Sequence, residues 1–139
     1  MNEDQDSAAS SSILMVCDDG AVKSVIAAQL FEQAASQRGL SFSAVARGLE
    51  PSEQVPVNIA QALAADGFDL SGFDPRELSS RDLASAVRVV AIGTDLSALQ
   101  DDAAAPILQW GVPSTNQDYE AIKASLLTLI DALLDELEQ

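Results

Sequence analysis

The feature that most constrains the fold is a short apolar run, ILMV at residues 13–16, that leads directly into the only cysteine of the chain, Cys17. Four consecutive apolar residues predict a strand that is buried on both faces, which is typical of parallel sheets. A short loop follows, and from Ser24 apolar residues recur with helical spacing as far as Gly39, which fits a helix C-cap. The segment therefore predicts a buried strand, a loop and the start of a helix.

The rest of the chain repeats this alternation. Three further strands and three further helices are predicted: strands at 40–46, 87–92 and 106–110, and helices at 57–66, 79–84 and 119–137. Ser79 and Asp82 fit a capping box at the start of the second of these helices. Because strands that alternate with helices form right-handed parallel units, we predict an α/β fold. It is a three-layer sandwich with a four-stranded parallel sheet, strand order 2-1-3-4, and helices on both faces.

A chain of 139 residues is the length of one domain. Residues 1–11 are acidic and polar, so we predict a disordered tail there and a single folded domain over 12–139. The N-terminal stretch lacks the basic start and apolar centre of a signal peptide, and no apolar run approaches the ~20 residues of a membrane span. We therefore expect a cytoplasmic protein with no membrane partner.

The charge and the rare residue types exclude several functions. The chain has 22 acidic and 7 basic residues, a net charge of −15, one cysteine and no histidine. Such a surface repels nucleic acid, and anionic small molecules reach it only where donors are well placed. A single cysteine forms no internal disulfide or cysteine-based metal cluster, and the lack of histidine removes the commonest general base. We expect no cofactor, and a monomer or weak dimer.

The loop at 17–24 is the expected site, because ligands of parallel sheets bind beyond the carboxyl ends of the strands. Its two carboxylates, Asp18 and Asp19, disfavour both a thiolate and a phosphate. Either both side chains point to solvent while their N–H groups face inward, or they close the loop to anions or attract a cation. A metal site formed with Asp95 is a minor alternative. Without further information, Cys17 is most simply a small buried apolar residue.

The order of these features resembles the low molecular weight protein tyrosine phosphatases and the related arsenate reductases. The motif of that family is a cysteine, five residues, an arginine and a serine, and here it reads CDDGAVKS at 17–24. The segments ARGLEPS at 46–52 and DGFDLSGFDPRELSSRDL at 66–83 are similar to the family's second loop and middle region. The resemblance extends over nearly the whole chain.

The resemblance implies a role for each residue of the loop. Cys17 would be the nucleophile, Lys23 would grip the phosphate in place of the family's arginine, and Ser24 would steady the thiolate. The backbone N–H groups at the start of the helix would hold the phosphate oxygens. The implied anion-binding residues are Gly20, Ala21, Val22, Lys23 and Ser24.

Several family residues are absent here. Lys23 keeps the charge of the arginine but loses its planar, two-pronged grip. Ser114 and Thr115 stand where the family has the Asp-Pro pair that protonates the leaving group. Gly20 replaces an asparagine of the loop, and Ala46 replaces a serine of its polar support. These losses predict a degenerate active-site loop, with weak or no phosphatase activity and a binding or regulatory role toward a phosphate-like anion or a protein partner.

Three alternatives remain open at this stage. The first is an active phosphomonoesterase that uses Cys17. The second is an arsenate reductase, which would need an external thiol because the chain has no second cysteine. The third is a redox-sensing thiol. Arg47, which follows the predicted second strand, is either a further cation near the loop or part of a surface salt bridge.

Overall fold

Four strands form one parallel sheet in the computed structural model, which describes residues 12–70, 73–103, 105–112 and 118–138. The strand order is β2-β1-β3-β4, and all three pairings are parallel. The strands are β1 at Ser12–Cys17, β2 at Ser43–Gly48, β3 at Arg88–Ile92 and β4 at Ile107–Trp110. The predicted topology is therefore confirmed.

Helices cover both faces of the sheet, as predicted. They are α1 at Lys23–Gln37, α2 at Val57–Ala65, α3 at Ser80–Ser85, a 3-10 helix at Ser97–Asp102 and α4 at Tyr119–Leu137. Ile13, Met15 and Cys17 face the larger apolar layer, which contains buried residues of α1, α2 and α4. Leu14 and Val16 face the smaller layer, which contains Leu83 of α3 and nearby residues. Burial on both faces explains the continuous apolar run of β1.

Most helices and strands begin and end within one or two residues of their predicted positions, but the start of β2 does not. The strand begins at Ser43 rather than at residue 40. Gly39 has a φ of +74°, and the N–H of Leu40 donates to the carbonyl of Ala35 at 2.9 Å. Residues 39 and 40 therefore complete the C-terminal cap of α1, and the alternating pattern that suggested a strand begins inside this cap.

The remaining local predictions have mixed outcomes. The capping box is confirmed, since the Ser79 side chain accepts from the N–H of Asp82 and the Asp82 side chain accepts from that of Ser79. The 3-10 helix was not predicted. No helix in the described ranges is both long and apolar enough to span a membrane. The predicted tail at 1–11 lies outside the described residues.

Backbone contacts fasten the loop after β1 to the segment after β2. The carbonyls of Cys17, Asp18 and Asp19 accept from the N–H groups of residues 49, 50 and 52 at 3.2, 2.8 and 3.1 Å. Gly20, with a φ of +62°, lies directly against Gly48, where an added Cβ would approach the Gly20 nitrogen to 2.5 Å. Only glycine at both positions allows the two backbones to pack this closely.

A polar cluster ties the end of α2 to the start of α4. The Tyr119 hydroxyl donates to the Asp66 carboxylate at 2.5 Å, and the Lys123 ammonium donates to the same oxygen at 2.8 Å. The hydrogen bonds from Lys123 and then Tyr119 lower the pKa of Asp66. Burial, reinforced by the bond to Asp66, raises the pKa of Tyr119 above its usual value. Tyr119 therefore serves the packing of the last helix.

We predict that Gly48→Ala destabilises the protein by about 1–3 kcal/mol, because its Cβ would overlap the backbone of Gly20 and force the loop to shift. Gly111→Ala is the matched control, since a Cβ there meets nothing within 4 Å. The free energies of unfolding come from urea titrations. A Gly48→Ala protein as stable as the control would show that the two backbones are not in close contact.

We predict that Asp66→Asn lowers stability at neutral pH, and that the difference from the unmodified protein disappears in acid. A carboxyl whose pKa is lowered on folding stabilises the protein above its unfolded pKa, and this contribution is lost as the pH falls through the folded value. The free energy of unfolding is measured between about pH 7 and pH 3. Asp101→Asn, which alters an exposed carboxylate, is the control. A difference that is constant across this range would contradict the assigned ion pair.

Candidate functional site

Cys17 is the last residue of β1 and lies at the carboxyl end of the sheet, where the sequence predicts the site. Its side chain is 3% exposed. The sulfur lies 3.2 Å from the Ser24 hydroxyl, and the backbone N–H of Ser24 donates to the sulfur at 3.3 Å. The structure therefore brings Cys17 and Ser24 into direct contact, although six residues separate them in the sequence.

The loop leads directly into the N-terminus of α1. Val22 is the N-cap residue and provides no capping side chain. The N–H of Ser24, the second residue of the helix, donates to the Cys17 sulfur instead. Gly20, Ala21 and Val22 are buried. A helix N-terminus favours negative charge, both on a bound anion and on the sulfur to which Ser24 donates.

The two aspartates of the loop have different orientations. Asp18 is exposed. Asp19 is half-buried, and its Oδ1 accepts from the N–H of Ala21 at 3.0 Å and lies 3.4 Å from the Cys17 sulfur. The sulfur donates its single hydrogen either to this carboxylate or to the Ser24 hydroxyl. The solvent-facing interpretation therefore holds for Asp18 and is wrong for Asp19, whose negative charge lies within the loop.

The cations proposed for the site take different positions. Lys23 is half-buried, and its ammonium nitrogen lies 3.1 Å from the point that a Cβ on Gly93 would occupy, just beyond the end of β3. Lys23 thus extends along the sheet edge from the loop toward β3. Arg47 lies within β2 and pairs with Asp82 at 3.0 Å, while its guanidinium also donates to the Ala46 carbonyl. Arg47 therefore forms the salt bridge that was the alternative to a place in the site.

The minor alternative of a metal site gains no support. Asp95 accepts from the N–H of Ser97 at 2.9 Å, so its carboxylate serves the start of the 3-10 helix. This hydrogen bonding lowers the pKa of Asp95. Across the described ranges, no group of three or more histidine, cysteine, aspartate or glutamate side chains could hold a metal ion.

One prediction about the site concerns residues outside the described ranges, and one orientation was left undecided by the sequence. Ser114 and Thr115, at the position of the family's general acid, lie outside the described residues. The inward orientation of Asp19 was left undecided, because two adjacent carboxylates give no periodic signal. The sequence offers one hint of this orientation. Aspartate side chains often accept a hydrogen bond from the backbone N–H two residues later, and for Asp19 that residue is Ala21.

The family model for low molecular weight phosphotyrosine protein phosphatase matches residues 12–102 of this chain. No curated protein matches the sequence significantly.

Solved structures with the same fold come from several bacteria. A thioredoxin-dependent arsenate reductase from Corynebacterium glutamicum has 19% identity over 99% of this chain and 72% of its own, with a TM-score of 0.76. A low molecular weight phosphotyrosine phosphatase from Vibrio cholerae has 18% identity over 92% and 97%, with a TM-score of 0.72. A low molecular weight protein tyrosine phosphatase from T. tengcongensis has 21% identity over 90% and 98%, also with a TM-score of 0.72. At these identities the likeness establishes the fold.

The region matched by the family model contains the loop with Cys17 and Ser24, strands β1, β2 and β3, and helices α1 to α3. It also covers well over half of the chain. The chain therefore belongs to the low molecular weight phosphotyrosine protein phosphatase family.

Proposed function

We propose that this chain is a phosphatase-family protein with little or no phosphatase turnover, which acts by binding. The observation that carries the proposal is Lys23, which stands in place of the family's arginine and extends toward Gly93. An arginine offers two parallel N–H donors to two phosphate oxygens, whereas a lysine is a point charge without that geometry. Phosphoryl transfer relies on positioning and on stabilisation of charge at these oxygens, so this replacement weakens the chemical step.

The residues implied for proton transfer weaken the reaction further. The resemblance places Ser114 where the leaving group would be protonated, and a serine hydroxyl is no acid near neutral pH. General acid catalysis typically contributes ~10²–10⁴-fold to a rate. A protein that lacks both the arginine and the acid is expected to turn over an unactivated phosphate ester very slowly.

The proposed ligand is a phosphate-like anion at the loop or a protein partner. The proposed donors for an anion are the N–H groups of residues 20–24 and the Lys23 ammonium, at the start of a helix. Two of these N–H groups donate within the loop, that of Ala21 to Asp19 and that of Ser24 to Cys17. A net charge of −15 opposes nucleic acid as a partner. We further propose that the protein works in the cytoplasm as a monomer or weak dimer, without a metal or other cofactor.

One observation favours a second candidate, an active cysteine-dependent phosphomonoesterase. The sulfur of Cys17 keeps two contacts with Ser24, one to the hydroxyl and one from the backbone N–H. Both would stabilise a thiolate nucleophile. An arsenate reductase is the related possibility, and with one cysteine in the chain it would have to take its second thiol from another molecule.

We predict that turnover of an aryl phosphate by the unmodified protein stays near that of Cys17→Ser, which lacks the nucleophile. Lys23→Arg alone is expected to raise turnover little, because the general acid is still missing. Ser114→Asp alone is also expected to raise it little, because Lys23 still lacks the two parallel donors of an arginine. Turnover is expected to rise more when both changes are combined with neutral residues at Asp18 and Asp19, since groups that act as a unit are strongly non-additive. Lys123→Arg, at the only other lysine of the chain, is the matched control.

Robust turnover by the unmodified protein that is lost in Cys17→Ser would overturn the binding role. It would show that Lys23 and the loop N–H groups suffice for catalysis.

A further inference from the structure

The Asp19 carboxylate lies at a point where a bound anion would place an oxygen. Its Oδ1 accepts from the N–H of Ala21 at 3.0 Å, within the ordinary range of an N–H···O bond. The same oxygen is 3.4 Å from the Cys17 sulfur. Reacting atoms that are poised for attack lie at about 3–3.5 Å, so an anion held for attack by this sulfur would need the same space.

Charge reinforces this steric conflict. Two like charges this close repel each other, and they repel more strongly near a protein surface than in bulk water. Asp19 is half-buried, so its repulsion of an incoming anion and of a thiolate is screened less than that of Asp18, which is exposed. The carboxylate also lies within hydrogen-bonding distance of the Cys17 sulfur.

We infer that Asp19 is a built-in occupant of the loop, a self-inhibiting contact that takes the N–H of Ala21 and places a negative charge beside the Cys17 sulfur. This inference rests on the proposed function, in which the loop is an anion site. It adds the means by which that site is kept closed: the blocking group is a side chain of the loop itself. A purely structural role, a local turn formed by Asp19 and Ala21, requires only the hydrogen bond to Ala21 and leaves Cys17 unaffected.

The experiment uses the full chain, in which Cys17 is the only thiol that can react. Asp19→Asn removes the charge but keeps an oxygen that can accept from Ala21, so the turn is retained. Asp18→Asn makes the same change of charge at the exposed neighbour and is the matched control. Rate constants for alkylation of Cys17 are measured with anionic iodoacetate and with neutral iodoacetamide, in a phosphate-free buffer of about 0.1 M salt.

The expected result is a rise of about tenfold or more in the iodoacetate-to-iodoacetamide rate ratio for Asp19→Asn, and of about twofold or less for Asp18→Asn. Asp19→Ala, which also frees the Ala21 N–H and the space beside the sulfur, tests the occupancy once circular dichroism shows that it is folded: added inorganic phosphate should slow its alkylation but not that of the unmodified protein. Equal ratios in the two variants, or equal protection of the unmodified protein by phosphate, would overturn the inference.

A folding check keeps the test decisive. Circular dichroism and the thermal midpoint establish that Asp19→Asn is folded, and Asp19→Ser, whose hydroxyl can also accept from Ala21, replaces it otherwise. The outcome is separate from that of the proposed function. Failure of the inference appears as unchanged alkylation in Asp19→Asn, whereas failure of the proposed function appears as Cys17-dependent turnover by the unmodified protein.

Discussion

The arrangement of the site depends on one backbone contact, the packing of Gly20 against Gly48. Because neither residue has a side chain, the loop after β1 lies directly on the end of β2, and the parallel ladder continues through the carbonyls of residues 17–19. This fixes the path of the chain between Cys17 and the start of α1. The contact between the Cys17 sulfur and Ser24 follows from that path, since Ser24 is the second residue of the helix.

Within this fixed loop, two opposite electrostatic influences meet at one sulfur. The helix N-terminus and the Ser24 N–H favour a negative charge there. The Asp19 carboxylate opposes it from 3.4 Å. We infer that the Asp19 carboxylate and a bound anion compete for the N–H of Ala21. The loop then combines the backbone of an anion site with a side chain that already accepts one of its hydrogen bonds.

The fold could be predicted from the sequence almost in full, whereas the site could be predicted only in part. The run at 13–16 and the alternation of strands and helices are strong periodic signals, so strand order, parallel pairing and the last helix agree with the structure. The start of β2 was wrong because Gly39 and Leu40 serve the cap of α1. Side-chain direction within a loop has no periodicity, which is why Asp19 could not be told from Asp18.

The other contacts that the sequence did not predict join residues that are far apart along the chain. The cluster of Asp66 with Tyr119 joins residues 53 positions apart, and the pairing of Arg47 with Asp82 joins residues 35 apart. Neither pairing leaves a local pattern. Cys17 and Ser24 could be linked in advance because the resemblance to the family's motif implies that Ser24 steadies the thiolate.

The shape of the loop and its chemistry are under different physical constraints. A side chain at Gly48 would collide with the backbone of Gly20, so the packing of the loop requires glycine there. In the proposed function, Lys23 and Asp19 act on the ligand through the charges of their side chains. Replacing an arginine with Lys23, or placing a carboxylate at Asp19 that meets its own hydrogen-bond donor, leaves the backbone contacts intact. We therefore propose that the loop persists as a structural element of the family's fold, while the Asp19 side chain occupies part of its anion site.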